Sequence, residues 1–125
     1  MLRRAETPEI TFLDRGARAQ VFTFRIRRDT MEFLVEFDLR VPEGTPESQV
    51  NERVTAEAAA SAALAREGHL ERLWRPPVVP GERKAIGLYR AEDQPQLDGL
   101  LGALPLSRWM QISITPLKPH PNDPK

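Results

Sequence analysis

The chain of 125 residues contains no cysteine, which excludes disulfides, thiol nucleophiles and thiolate metal sites. Its two histidines, His69 and His120, are far apart in the sequence, whereas a structural zinc site needs about four ligands. No apolar run approaches the roughly 20 residues that span a bilayer. Nor does a continuous apolar segment follow the basic residues near the N-terminus, as in a secretory signal. We therefore expect a cytoplasmic protein with no metal site and no membrane partner.

The chain has no excess charge of either sign. Eighteen basic and eighteen acidic side chains cancel at neutral pH, so no overall field attracts nucleic acid, and we expect no nucleic-acid partner. A chain of this length is expected to form one domain. A domain this small buries a limited core, and association with other copies is a common way to gain stability.

Residues 1–30 differ in composition from the rest of the chain. They hold seven arginines against four acidic residues. Within them, VFTFRIR at 21–27 alternates apolar with polar side chains, as a half-buried strand does. We treat 1–30 as an N-terminal extension, which either pairs with an edge of the domain or forms a loose arm. The domain itself is assigned to residues 31–125.

From Met31 onward the hydrophobic pattern changes regularly between strand and helix. EFLVEFDLRV at 32–41 alternates apolar with charged residues, which predicts a strand with one buried face. Thr45 as N-cap and Pro46 as first helical residue predict the start of a helix that ends before Gly68. The further predicted elements are a strand in HLERLWR (69–75), a strand in KAIGLYR (84–90), a helix capped by Asp93 and ending at Pro105, and a strand in WMQISITPL (109–117).

This βαββαβ order is typical of a ferredoxin-like α+β domain. In that fold a four-stranded antiparallel sheet carries both helices on one face. The other face of the sheet then needs a cover. A second copy of the chain is the simplest one, so we expect self-association.

The first predicted helix contains VTAEAAASAALA, in which a single acidic residue, Glu57, stands among alanines. A helix advances by about 100° per residue, which places Glu57 roughly 20° from Val50 and inside the apolar stripe. Val54 and Ser61 fall on the same stripe. A carboxylate in that position must be neutral, paired, or facing a cavity that water or a ligand enters.

The pattern alone leaves two interpretations of Glu57 open. In the first, the side chain extends past the edge of the stripe to solvent or pairs with Arg53, one turn earlier. In the second, it is a site residue, because burial raises the pKa of a carboxyl group toward the range that suits proton transfer near neutral pH. Ser61, one turn later, could then hydrogen-bond the carboxyl group or a ligand.

The region from Met31 to about Pro121 resembles muconolactone Δ-isomerase. The match is strongest in LLGALPLSRWMQISITPLKPHP at 100–121, and FDLRVP (37–42) and LWR (73–75) also fit. The resemblance implies a cofactor-independent isomerase of aromatic-compound catabolism, in the β-ketoadipate pathway, with a small-molecule substrate. It also implies that protomers pair through their sheets into a dimeric α/β barrel and assemble further, typically into decamers.

The family reaction moves a proton within muconolactone to give 3-oxoadipate enol-lactone, and one carboxylate can both remove and return that proton. The resemblance assigns this acid/base role to Glu57. The size of Trp74 favours packing in the core, although it is also a candidate for substrate contact. The predicted substrate-binding residues are Arg53, Val54, Ser61, Trp74 and Arg75.

The chain departs from the family pattern around Glu57. Family members carry basic and polar side chains there, and this chain has Val54, Ala56, Ala58 and Ala60. These departures remove candidate partners for a substrate carboxylate and favour a less charged lactone or enone. Two alternatives stay open, since one fold carries many functions. They are a cofactor-free monooxygenase or cyclase of the dimeric α/β barrel type, and a non-catalytic small-molecule binding module.

Overall fold

A computed structural model describes residues 30–125, which contain the predicted domain. The predicted strand at 21–27 lies outside the described residues. Within them the order of elements is the predicted one. The elements are β1 (Met31–Leu39), α1 (Glu47–Arg66), β2 (Leu70–Trp74), β3 (Arg83–Ala91), α2 (Gln94–Gly102) and β4 (Met110–Leu117), with a short 3-10 turn at Ser107–Trp109 before β4.

The strands form one antiparallel sheet in the order β2-β3-β1-β4. β1 pairs along its length with β3 on one side and β4 on the other. Its alternation explains this central place, because Phe33, Val35 and Phe37 are buried while Glu36 between them is exposed. The predicted ferredoxin-like α+β fold is confirmed.

The core lies between the sheet and the two helices. Leu64 of α1 and Leu97 and Leu101 of α2 join the buried β1 side chains and Tyr89 of β3 in one cluster. Both helices therefore cover the same face of the sheet, as predicted. Each fully buried aliphatic or aromatic side chain of this kind contributes roughly 1.5–3 kcal/mol. In the described residues no helix is both long enough and apolar enough to cross a membrane.

The two helices begin differently. Asp93 caps α2 as predicted, since its carboxylate accepts a hydrogen bond from Gln96 N at 2.9 Å. The predicted Thr45 cap of α1 is wrong. The Thr45 hydroxyl donates instead to Pro42 O at 2.6 Å, and Pro46 takes the cap position without a side-chain hydrogen bond. The preceding turn therefore occupies the side chain that would otherwise cap the helix.

The C-terminus of α1 ends in a Schellman motif. His69 N donates to Leu64 O and Gly68 N donates to Ala65 O. Gly68 has a φ of 86°, a left-handed conformation that glycine adopts without steric cost. The motif satisfies the last carbonyl groups of the helix and leads the chain directly into β2, as the sequence predicted.

Gly87, in the middle of β3, lies beneath the ring of Tyr89. A Cβ atom at this position would lie 2.5 Å from Tyr89 Cε1 and 3.4 Å from Leu73 Cδ1. Tyr89 is 2% exposed, so its ring has little space into which to move. We predict that Gly87→Ala lowers the free energy of unfolding by about 1–3 kcal/mol, as measured by urea denaturation.

The matched control is Gly99→Ala in α2, where an added Cβ meets nothing within 4 Å. Alanine is the better helix former, so this variant should be more stable than the parent by roughly 0.5–1 kcal/mol. Equal stability of Gly87→Ala and the parent would contradict the close packing of Tyr89 on β3.

Candidate active site

α1 turns one face toward the sheet and toward the loop between α2 and β4. Along this face Val50, Arg53, Glu57 and Ser61 are half-buried, and Leu64 is buried. By helical geometry Glu57 lies at the centre of these five positions. The predicted orientation of Glu57 toward the half-buried face of α1 is therefore confirmed.

Val54 lies outside this face. Its side chain is 40% exposed, and Ala58, one turn later, is exposed as well. The predicted place of Val54 inside the apolar stripe is therefore wrong. The helix is turned toward Leu64 and the half-buried Ala60, because α1 packs beside β2 and its small side chains allow close approach there.

Glu57 reaches the loop through one hydrogen bond. The Leu106 backbone N–H donates to Glu57 Oε1 at 2.9 Å. Glu57 Oε2 has no hydrogen-bond partner among residues 30–125. Burial raises the pKa of Glu57, and the Leu106 N–H, which favours the charged form, offsets part of this effect. The carboxyl group is thus oriented through one oxygen, and its second oxygen is left without a protein partner among residues 30–125.

Arg53 does not pair with Glu57, so the alternative in which the two side chains form an ion pair is wrong. Its Nη1 donates to Pro105 O at 2.9 Å, and the guanidinium carbon lies 4.9 Å from the centre of the Trp109 ring, a cation–π contact. No other hydrogen bond or ion pair of this guanidinium occurs within the described chain. The remaining N–H groups are therefore available to an anion.

The loop that receives both side chains is held by its own backbone. Leu104 N donates to Leu101 O, Ser107 N to Leu104 O, and Trp109 N to Leu106 O, at 2.9–3.1 Å. Leu104 and Leu106 are buried, which anchors the loop to the core. The Leu106 N–H was not predicted as part of a site, because sequence patterns do not show where a backbone donor in a loop points.

Tyr89 brings a hydroxyl group into the same interior. Its ring meets Phe37 edge-on, with ring centres 6.0 Å apart. Burial, and to a lesser extent the negative charge of Glu57, raise the pKa of Tyr89 to about 12. The hydroxyl makes no hydrogen bond in the described structure. The sequence pattern does not single out this group, because a tyrosine on the apolar side of a strand looks like any core residue.

Trp74 and Arg75 lie away from Glu57 in the single chain. Trp74 is 41% exposed and pairs in register with Ile86, on the sheet face that the helices leave open. The Arg72 guanidinium lies 5.0 Å from the centre of its ring. The core position expected for Trp74 is therefore wrong, because strand alternation turns Leu73 to the helix side and Trp74 outward. Arg75 follows β2 and is exposed.

The candidate site is thus the group formed by Arg53, Glu57, Tyr89 and the Leu106 N–H, which we call the α1–loop cluster. Two open surface depressions lie elsewhere, one along the first turns of α1 and one at residues 117–123. In the part of the chain described, no three histidine, aspartate or glutamate side chains are grouped as metal ligands. The chemistry that this cluster offers is proton transfer and anion binding.

The fold has a close counterpart among solved structures. The crystal structure of a muconolactone isomerase superposes on the chain with a TM-score of 0.66 at 23% sequence identity, covering 76% of this chain and 96% of that one. At this identity the likeness shows the fold. It places the same sheet and helix arrangement in both proteins.

Sequence comparison shows the family. A family model described as muconolactone delta-isomerase matches residues 31–123. Muconolactone delta-isomerase 1 of Acinetobacter lwoffii is 34% identical over 92 residues, which are 74% of this chain and 93% of that protein. The enzyme of Rhodococcus opacus is 31% identical over 93 residues, with 74% and 97% covered. Since the match spans nearly all of the described residues, the chain belongs to the muconolactone delta-isomerase family of enzymes.

Proposed function

We propose that this protein is a cofactor-independent isomerase that moves a proton within a small unsaturated lactone, with Glu57 as both base and acid. The observation that carries this proposal is the state of the Glu57 carboxyl group. It is half-buried, it has a raised pKa, and only one of its oxygens is hydrogen-bonded within residues 30–125. Muconolactone or a close relative is the proposed substrate, and 3-oxoadipate enol-lactone the corresponding product.

The reaction needs one group that takes a proton and gives it back. The ring carbon that bears the side chain of muconolactone holds a hydrogen whose removal leaves an anion conjugated with the lactone carbonyl. Glu57 takes this proton, the double bond shifts, and negative charge develops on the carbonyl oxygen. The same carboxyl group then returns the proton to the carbon beside the carbonyl. The product is an isomer of the substrate, and Glu57 ends as a carboxylate.

The environment of Glu57 suits both steps. Burial disfavours the charged carboxylate and so makes it a stronger base than an exposed one. A pKa closer to the working pH also helps the protonated form to return its proton. The Leu106 N–H holds Oε1 and leaves Oε2 directed to the substrate in our proposal.

We expect Glu57→Gln to lower kcat by about 10²–10⁴-fold, because an amide cannot take the proton. Turnover is followed by incubating the protein with muconolactone in deuterated water and recording isomerisation and deuterium uptake by NMR. Since the pKa of Glu57 is raised, the parent should lose activity on acidification at a pH above the 4.5 of an ordinary glutamate.

Glu52→Gln is the matched control, since Glu52 lies on the exposed side of the same helix and should leave kcat unchanged. Size-exclusion chromatography checks that both variants keep the assembly state of the parent. Full activity of Glu57→Gln would refute the assignment of the acid and base.

Arg53 is the proposed partner of a substrate carboxylate. Its guanidinium is held by Pro105 O and the Trp109 ring. Residues four apart on a helix lie about 5–6 Å from each other at their Cβ atoms, so a small lactone can reach Arg53 and Glu57 together. We also propose that Ser61, one turn beyond Glu57, hydrogen-bonds the substrate. Contacts from Val54, Trp74 and Arg75, which are exposed, depend on the assembled protein.

If Arg53 binds the carboxylate, Arg53→Met should raise KM for muconolactone by about 10–100-fold, the equivalent of one charged hydrogen-bonded contact. For the methyl ester of muconolactone, which carries no negative charge, KM should change little. Initial rates with both compounds measure the difference. Arg66→Met, at the exposed end of the same helix, is the control. An equal effect on acid and ester would remove Arg53 from this role.

We further propose that a second copy of the chain covers the open face of the sheet. On this face Leu34 stands directly opposite Leu88 on the neighbouring strand, and both are half-buried. Beside them Arg90 bridges Glu32 at 2.9 Å and Glu71 at 2.7 Å. An apolar centre with paired charges around it fits a face that meets its own copy.

Sedimentation velocity tests this interface. We expect the parent to sediment as an oligomer and Leu88→Glu to shift it toward the single chain, because the new carboxylate would be buried without a partner. Ala62→Glu, which adds the same charge on the exposed side of α1, should leave the assembly intact. A parent protein that sediments as a single chain would contradict the proposal.

A further inference from the structure

The chain has one tyrosine, and its hydroxyl group has no obvious structural purpose. Tyr89 is 2% exposed, yet its hydroxyl has no hydrogen-bond partner in the described structure. A buried hydroxyl without a partner costs free energy that a phenylalanine in the same place would not. Phe37, which packs against the Tyr89 ring, shows that this part of the core accepts an unsubstituted ring. The unpaired hydroxyl therefore indicates that Tyr89 hydrogen-bonds a ligand.

The position of Tyr89 relates it to Glu57. The ring folds back over Gly87, on the side of the sheet that the helices cover. Tyr89 belongs to the same core cluster as Leu64 of α1, and Glu57 lies on the same face of that helix as Leu64. Burial raises the pKa of Tyr89 most, and the negative charge of Glu57 raises it further. A proton acceptor with one free oxygen and an unpaired hydroxyl donor thus share one interior region.

We propose that the Tyr89 hydroxyl donates a hydrogen bond to the carbonyl oxygen of the bound lactone and stabilises the negative charge that develops there. The inference rests on the proposed function, in which Glu57 removes the proton. Glu57 acts at the ring carbon that loses the proton. Tyr89 would supply a hydrogen-bond donor at the other end of the conjugated system, the carbonyl oxygen.

The two groups divide the proton chemistry. Glu57 exchanges a proton with carbon, whereas Tyr89 keeps its own proton and only donates a hydrogen bond. With a pKa of about 12, the phenol stays protonated at every pH at which the enzyme would work. Because the hydroxyl is shielded from water, its hydrogen bond to a developing negative charge is stronger than the same bond in solvent. No atom is gained or lost at Tyr89 during the reaction.

Tyr89→Phe tests the proposal, since it removes one oxygen atom and leaves the ring. We expect kcat for muconolactone to fall by about 10²-fold, as for loss of one donor to a developing oxyanion, with KM nearly unchanged. Thermal unfolding of the variant should occur at the same or a higher temperature than that of the parent, because an unpaired hydroxyl has been removed. An unchanged kcat would overturn the proposal.

A second measurement does not depend on turnover. Tyrosine labelled with carbon-13 at Cζ gives one resonance, because the chain has one tyrosine. The probe is muconolactone with its ring double bond reduced, which keeps the carbonyl and cannot isomerise. We expect this saturated lactone to shift the resonance, and the cyclic ether that lacks the carbonyl to leave it in place. Equal responses to the two compounds, or none, would overturn the proposal.

The pair of measurements separates this inference from the proposed function. A parent protein that isomerises no lactone, but whose Cζ resonance responds to the saturated lactone alone, would refute the isomerase and retain the Tyr89 contact. Turnover that requires Glu57 and is unaffected in Tyr89→Phe would retain the isomerase and refute the Tyr89 contact.

Discussion

The hydrogen bond from the Leu106 N–H to Glu57 is the contact on which the candidate site depends. It joins the middle of α1 to a loop 49 positions further along the chain, and Arg53 adds a second connection to the same loop through Pro105. These contacts come from residues one helical turn apart and reach adjacent residues of the loop. They therefore set both the rotation of α1 and its distance from the loop, and with them the direction of the carboxyl group.

Packing in the core holds the Leu106 N–H and Glu57 in the positions that this hydrogen bond needs. Leu64 and the α2 leucines pack on the buried side chains of β1, which fixes α1 and the start of the loop against the same sheet. Leu104 and Leu106 are themselves buried, so the backbone donor cannot turn to solvent without exposing apolar surface. Partial burial of the Glu57 carboxylate costs free energy. The packing of the core around α1 and the loop offsets this cost.

Local pattern was enough to predict the fold, and the reason is visible in particular elements. The alternation in β1 distinguishes buried Phe33 from exposed Glu36, and Gly68 supplies the left-handed residue that ends α1. The errors arise where a neighbour distant in sequence or a competing partner decides. Thr45 hydrogen-bonds Pro42 instead of capping the helix, and the pairing of β2 with β3 turns Trp74 outward.

The site was predictable only in part for the same reason. Helical periodicity alone directs Glu57 inward, because the direction of a side chain on a regular helix depends on position. Its partner Leu106, the pairing of Arg53 with Pro105, and the hydroxyl of Tyr89 depend on how separate elements meet. The prediction from periodicity also placed the centre of the buried face of α1 too close to Val54. The periodicity of a helix does not show which strand the helix packs against.

That rotation of α1 bears on the departures from the family pattern. The resemblance implies polar or basic side chains at four positions of α1. Val54, Ala56 and Ala58 are exposed in this chain, whereas Ala60 is half-buried against the core. The three exposed residues lie on the outer side of the helix, whereas Arg53 and Glu57 face the loop and make polar contacts with it. In the proposed reaction proton transfer depends on Glu57, so Val54, Ala56 and Ala58 bear first on what approaches α1 from outside, a substrate tail or a neighbouring copy.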